Sequence, residues 1–151
     1  MFSRVTQFSV FLVNKPGILS QVCDALAVKK VNVLALTLMD SVEHGVFRLV
    51  AGDSAKARSV LKGLNVPMTE TEVLRAEMPN KPGALADICA RMNGEHISIK
   101  YAYVTSGAAG GRTTGIFKVD NMKRALKLSN SRQPGRKKKK TVRRNRAIGG
   151  R

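Results

Sequence analysis

The sequence predicts an α+β fold of two consecutive βαββαβ modules with antiparallel sheets, and three observations carry that expectation. The tetrapeptide Asn-Lys-Pro-Gly occurs twice, at residues 14–17 and 80–83. A shift of 66 residues superimposes more than the tetrapeptide: Val22-Cys23 falls on Ile88-Cys89, Leu26 on Met92, and Val31-Asn32-Val33 on Ile97-Ser98-Ile99. In each copy the apolar pattern also switches at the Pro-Gly step from the two-residue period of a strand to the 3.6-residue period of a helix.

The first strand of copy one is carried by Phe8, Val10 and Leu12, alternating with Gln7, Ser9 and Phe11. Its counterpart is carried by Leu74, Ala76 and Met78, and both read as half-buried strands. After the corner, Leu19, Val22, Cys23 and Leu26 stand at i, i+3, i+4 and i+7, as do Leu85, Ile88, Cys89 and Met92. Each helix therefore presents one apolar stripe. Asn93-Gly94 is a fitting stop for the second of them.

A strand pair follows over residues 31–38 and 45–51, and again over 97–104 and 115–119. Placing Gly45-Val46-Phe47-Arg48-Leu49 on Gly115-Ile116-Phe117-Lys118-Val119 requires four extra residues in the second hairpin, in a turn that tolerates length change. The glycine-rich loop at residues 106–112 lacks the helix and lysine of a phosphate-cradling motif and reads as a flexible turn. A second helix begins after Asp53-Ser54, with Ala57, Val60, Leu61 and Leu64 on one face and Gly63 near its end. Its counterpart begins at Asp120-Asn121, with Met122, Ala125 and Leu126. A fourth strand around residues 66–70 runs on into the first strand of copy two with little linker.

The order βαββαβ is the ferredoxin-like arrangement, an antiparallel sheet with two helices on one face. Copy two departs from it after Leu128, where Ser-Asn-Ser-Arg-Gln-Pro-Gly and four lysines replace an apolar strand. The second module is therefore expected to lack its last strand. The expected division is 3–70, 71–128 and a disordered basic tail at 129–151, because such a tail buries too little apolar area to offset the entropy of ordering.

Most of the net charge of +17 belongs to that tail, which holds ten basic residues and no acidic one. The other 128 residues carry 17 basic and 10 acidic, hence +7. Such a cationic run would bind nucleic acid or another acidic surface by counterion release. Aromatic content is 5%, and the third strand lacks the stacked aromatics of RNA-recognition modules. The abrupt change of composition is equally what a shifted reading frame would produce. No apolar run approaches the roughly 18 to 20 residues that cross a bilayer, and the N-terminus shows no secretory pattern, so a cytoplasmic chain without a membrane span is expected. Cys23 and Cys89 fall at equivalent places on the apolar helix faces and are expected to pack in the core rather than form disulfides.

The corner itself has chemistry. Pro16 and Pro82 restrict the backbone entering each helix, and Gly17 and Gly83 leave no side chain over the first helical N–H groups. Unpaired donors and a partial positive charge at a helix N-terminus suit a carboxylate. Asn14 and Asn80 add an amide able to donate and accept. The structural alternative is a Pro-Gly turn with Asn as the helix cap. His44 and His96 have no partner spacing for zinc or a catalytic triad, and Glu70, Glu72 and Glu77 read as charges on an open face. Neither a catalytic site nor a cofactor is expected.

A strand ending in Asn-Lys-Pro-Gly, a helix opening with Ile-Leu or Ala-Leu, and a following Val-Asn-Val or Ile-Ser-Ile strand resemble the ACT domain over residues 3–128. The likeness is to small stand-alone proteins with two such domains in tandem. It implies a regulatory protein that binds an amino acid effector and acts on a biosynthetic enzyme; pairing two sheets side by side would bury their exposed edges, so a homodimer is expected. It also implies that ligands sit near the corner between paired modules, which carries the site to Asn14, Gly17, Ile18 and Leu19, and to Asn80, Gly83, Ala84 and Leu85.

Overall fold

The computed structural model describes residues 1–13, 15–39, 44–106 and 111–128. Asn14, the turn residues 40–43, the loop residues 107–110 and the basic tail from residue 129 onward, whose disorder the composition led us to expect, lie outside the described residues. The elements run β1 (Phe2–Val13), α1 (Ile18–Val28), β2 (Val33–Met39), β3 (His44–Ala51), α2 (Ser54–Gly63) and β4 (Met68–Pro79). They continue with α3 (Ala84–Gly94), β5 (Ile99–Ser106), β6 (Arg112–Val119) and α4 (Met122–Lys127). Asp53 and Asn121 cap α2 and α4 by accepting the N–H of Lys56 and Arg124 at 3.0 Å. These are the polar N-caps that satisfy one orphan donor of each helix.

All strands join one six-stranded sheet in the order β2-β3-β1-β4-β6-β5, antiparallel throughout. Two twelve-residue strands hold it together. The fourth strand expected at 66–70 begins at Met68 and continues unbroken to Pro79, so the boundary between residues 70 and 71 falls inside β4. Its first half pairs with β1 and its end with β6. In the same way β1 pairs with β3 from Gln7 onward and with β4 from Phe2 to Val10. Residues 2–7 thereby lie where the second module's own last strand would stand. That position is thus filled from within the chain, and over residues 74–76 β4 has a partner strand on both sides.

Two apolar cores pack beneath the helices. In the first, Phe8, Val10 and Leu12 meet Val22 and Leu26 of α1, Phe47 and Leu49 of β3, and Ala57 and Leu61 of α2. In the second, Leu74, Ala76 and Met78 meet Ile88 and Met92 of α3, Phe117 of β6 and Ala125 of α4, and Phe2 joins them from β1. Each fully buried Leu or Phe of this kind contributes about 1.5–3 kcal/mol. The guanidinium of Arg91 lies 5.1 Å from the Phe2 ring centroid and so covers the substituted edge.

The helix-free face is covered as well. Edge strand β2 comes into contact with β5 and β6, so the sheet curls round on itself. Ala35 and Val50 from the first half pack there against Val73 and Ile116 from the second. The strand read as half-buried is thus covered on both sides over Gln7, fully buried, and Ser9, nearly so, whereas Phe11 on the same face stays exposed. Burial pushes the Tyr103 phenol on this face well above the ordinary tyrosine range, helped by the neighbouring Tyr101 and opposed by Arg48.

Two further expectations are corrected. Phe8 pairs with Leu49 and Leu74 with Phe117, so the second copy is two residues longer in the hairpin, not four, and Phe117 is the counterpart of Leu49. Gly115 therefore stands where Phe47 does, and Thr113 where Gly45 does. A two-residue slip keeps every side chain on its face, so alternation alone could not detect it. The core expectation also fails for Cys23, which is exposed, while Cys89 is half-buried. The buried stripe of α1 is Val22 and Leu26, and Cys23 lies at its edge.

Candidate functional site

At both corners the backbone does what the motif requires. Gly17 has φ 88° and ψ −13°, and Gly83 has φ 89° and ψ −18°. These are the angles of the third position in a type II turn, with Pro16 or Pro82 at the second. The turn closes with the N–H of Ile18 donating to the Lys15 carbonyl at 3.5 Å and that of Ala84 to Lys81 at 3.3 Å. The first helical bonds follow, from Gln21 to Gly17 at 3.0 Å and from Asp87 to Gly83 at 2.9 Å.

The glycine is the cap residue of each helix and has no side chain with which to cap it. Asn14 lies outside the described residues. Among the described residues, nothing receives the N–H groups of Leu19 and Ser20 at the first corner, or of Leu85 and Ala86 at the second. Each helix thus presents donors and a partial positive charge outward.

Around these equal frames the surroundings differ. The first corner opens on a cavity of about 370 Å³. Leu12 and Val13 from the end of β1, Lys15 from the turn, and Ile18 and Leu19 from α1 line one side. Leu38 and Met39 from β2 and Gly45 from β3 line the other. Gly45 keeps this space open, because a Cβ built there would meet nothing closer than 3.7 Å. The register places Leu12 opposite Gly45, and Met78 opposite Thr113. At the second corner a buried threonine therefore stands where the first has bare backbone, and its Oγ1 has no hydrogen-bond partner among the described residues. Next to it, a Cβ on Gly115 would lie 2.7 Å from the Phe117 ring and 2.8 Å from the Met78 methyl group. Those two side chains already occupy that space.

The eight residues expected at the site divide accordingly. Ile18 and Leu19 line the cavity and Gly17 makes its turn, whereas Ala84 is buried in the second core and Leu85 is 44% exposed. Gly83 makes the second turn, and the N–H of Asn80 donates to the Gly111 carbonyl at 2.8 Å. The two corners are not brought together: one follows Val13, and the other follows the end of β4, beside Met1, whose carbonyl receives the N–H of Glu77. About 35 Å of strand separates them at 3.3 Å per residue. Sequence reasoning missed Leu38, Met39 and Gly45; the glycine opening β3 was the one available sign, and it gained meaning only opposite Leu12.

The ion pairs lie elsewhere. Arg58 on α2 binds Glu70 through two bonds of 2.6 and 2.8 Å, which hold the Glu70 carboxyl below its ordinary range. Arg4 pairs with Glu72 at 3.1 Å, and Glu77 with Arg75 and Arg112 at 2.5 and 3.2 Å. Among the described residues, no group of three His, Cys, Asp or Glu side chains is placed to hold a metal ion, and no helix is long and apolar enough to cross a membrane.

Two βαββα units that share long strands, each with a Pro-Gly corner feeding a helix, define a tandem pair of ferredoxin-like modules. The sequence profile of the ACT domain pair matches residues 3–133, and the chain belongs to that family. Among solved structures it is similar to the protein BT0572 from Bacteroides thetaiotaomicron, at 28% identity and a TM-score of 0.77, over 85% of this chain and 88% of that one. The fold also matches the ligand-free regulatory subunit of aspartate kinase from Thermus thermophilus, at 12% identity and a TM-score of 0.62, over 86% and 93% of the two chains. The Thermus flavus subunit matches at 14% identity and a TM-score of 0.57, over 86% and 94%. No curated protein matches the chain.

Proposed function

We propose that this protein is a non-catalytic regulator that binds a free amino acid in the cavity of the first corner. The observation that carries the proposal is that cavity, about 370 Å³ and bounded by the N-terminus of α1. Its volume falls in the range of about 300–1,000 Å³ typical of small-molecule sites. The ligand carboxylate takes the N–H groups of Leu19 and Ser20, which Gly17 leaves uncovered, an arrangement that stabilises an exposed anion by about 0.3–1 kcal/mol. Its side chain lies among Leu12, Ile18 and Leu38, and Lys15 attracts the anion at the mouth. The second corner, with Thr113 in place of Gly45 and with Phe117 and Met78 packed beside it, keeps the turn at Gly83 as a structural element.

Calorimetric titration with each of the twenty amino acids tests this. Saturable heat with at least one of them is expected, and Gly45→Val, which puts a side chain into the cavity, removes it while the melting transition remains. Absence of heat with all twenty defeats the proposal. The family, and the regulatory aspartate kinase subunits that share the fold, support a role in regulating a biosynthetic enzyme, which this protein exerts as a homodimer. Half-exposed Leu36, Leu38 and Met39 on edge strand β2, beside the cavity, are the surface on which a second copy packs. Light scattering measures that association.

A second reading rests on the ten cations of residues 129–151. They attach the protein to nucleic acid without sequence preference, and affinity falls steeply with salt. Equal filter retention by the full chain and by a chain ending at Leu128 would dismiss it.

A further inference from the structure

On the helix-free face, one polar cluster interrupts the apolar contacts of Ala35, Val50, Val73 and Ile116. At its centre is Gln7, fully buried. Its Nε2 donates to the Tyr101 hydroxyl at 2.8 Å and to Ser9 Oγ at 3.2 Å, and its Oε1 accepts from the Tyr103 hydroxyl at 2.9 Å. The guanidinium of Arg48 stacks on Tyr101, 4.6 Å from the ring centroid, and its terminal nitrogen reaches Met39 Sδ at 2.8 Å. Met39 lines the first-corner cavity.

These contacts form an unbroken side-chain path. It starts at the cavity wall, passes from Met39 on β2 through Arg48 on β3 to Tyr101 on β5, and ends on Gln7 of β1. Gln7 and Arg48 stand on strands of the first half, whereas Tyr101 and Tyr103 stand on the far edge strand of the second. In sheet order β1 and β5 are separated by β4 and β6, so only the curling of the sheet brings these groups together. A buried amide whose partners are two phenols and a hydroxyl has few alternative arrangements, because each lost bond strands a polar group in a low-dielectric interior. Contacts of that kind rearrange in discrete steps rather than by continuous drift.

We propose that the path from Met39 through Arg48 and Tyr101 to Gln7 couples the first-corner cavity to the second module. Engagement of Met39 by a ligand repositions Arg48 on the Tyr101 ring, and the Gln7 bonds carry the change into β5. This rests on the reading of the cavity as an amino-acid site and adds the means by which occupancy is transmitted. Linkage makes the effect reciprocal: a change in the path alters ligand affinity by the factor by which ligand alters the path.

The composition supplies a built-in reporter. The chain has no tryptophan, and Tyr101 and Tyr103 are its only tyrosines. Tyrosine emission therefore comes from this cluster alone. The full chain is titrated with each of the twenty amino acids in turn, with heat and tyrosine emission followed in parallel. Any amino acid that gives saturable heat is expected to change the emission with the same midpoint. In Arg48→Ala the emission change is lost and the Kd for that amino acid shifts by about fivefold or more. Tyr101→Phe, which keeps the ring and removes one hydroxyl, shifts the Kd in the same direction and serves if Arg48→Ala does not fold. Heat with unaltered emission, or an unchanged Kd in a folded variant, overturns the coupling and leaves the binding site standing. No heat with any amino acid overturns the site and the coupling together.

Discussion

The two corners share a tetrapeptide, a turn type and a pair of backbone angles that agree within 5°. They differ in what stands opposite. Leu12 faces Gly45 across the β1–β3 ladder and leaves a cavity, whereas Met78 faces Thr113 across the β4–β6 ladder and leaves none of that bare backbone. The lesson is that the repeated motif sets the frame, while the neighbouring strand's register decides whether the frame encloses space. The duplicated corners thus share one frame and differ in the residue that stands opposite it.

The largest break in this comparison is expected from paired glycine substitutions in β3 and β6. Gly115→Ala drives a methyl group into the Phe117 ring and the Met78 methyl, and overpacking of this kind costs about 1–3 kcal/mol. Gly45→Ala meets only ordinary contacts and leaves the denaturant midpoint nearly unchanged. Equal midpoints for the two variants would mean that the corners are packed alike.

A slightly smaller and symmetric effect is expected at the turns. Gly17→Ala and Gly83→Ala each place a Cβ on a left-handed backbone, at a cost of about 1–2 kcal/mol. Both lower thermal stability similarly, but only Gly17→Ala weakens amino-acid binding. Loss of binding in Gly83→Ala alone would move the site to the other corner.

Thr113→Val sharpens the contrast in the opposite direction. It replaces a buried, unpartnered hydroxyl by a methyl group of similar shape and relieves part of a desolvation cost of about 1–3 kcal/mol. The expected gain appears as a raised unfolding midpoint, and an unaltered or lowered midpoint would show that the hydroxyl is satisfied in solution.

The smallest effect lies within the first module, on its surface. The two bonds from Arg58 hold the Glu70 carboxyl below its ordinary value of 4.5. The stabilisation is therefore complete above that value and is lost as the pH falls through the lower pKa of the folded state. Arg58→Ala should lower stability slightly at neutral pH and not at low pH, so that the acid limb flattens, and the loss stays small because the pair is partly exposed to solvent. A large loss at neutral pH would contradict this.

The order of strands and helices, both corners and both helix caps at Asp53 and Asn121 were readable in one dimension, since each depends on local chemistry or on a period of 2 or 3.6 residues. The replacement of the missing strand was only half readable. The lack of an apolar strand pattern directly after Leu128 exposed the gap, but nothing near it shows that residues 2–7, more than a hundred positions away, stand in its place.

Taken alone, then, the amino-acid order determined two modules of one kind, their turns and the faces they bury, because those follow from steric limits on Pro and Gly and from apolar periodicity. The tertiary structure decided the rest. Whether Gly45 or Thr113 stands over a corner, and whether Gln7 meets a tyrosine, depends on register and on the curl of the sheet. Both are set by cooperative pairing of distant strands, and a slip of two residues or the closure of an edge leaves the local pattern unchanged.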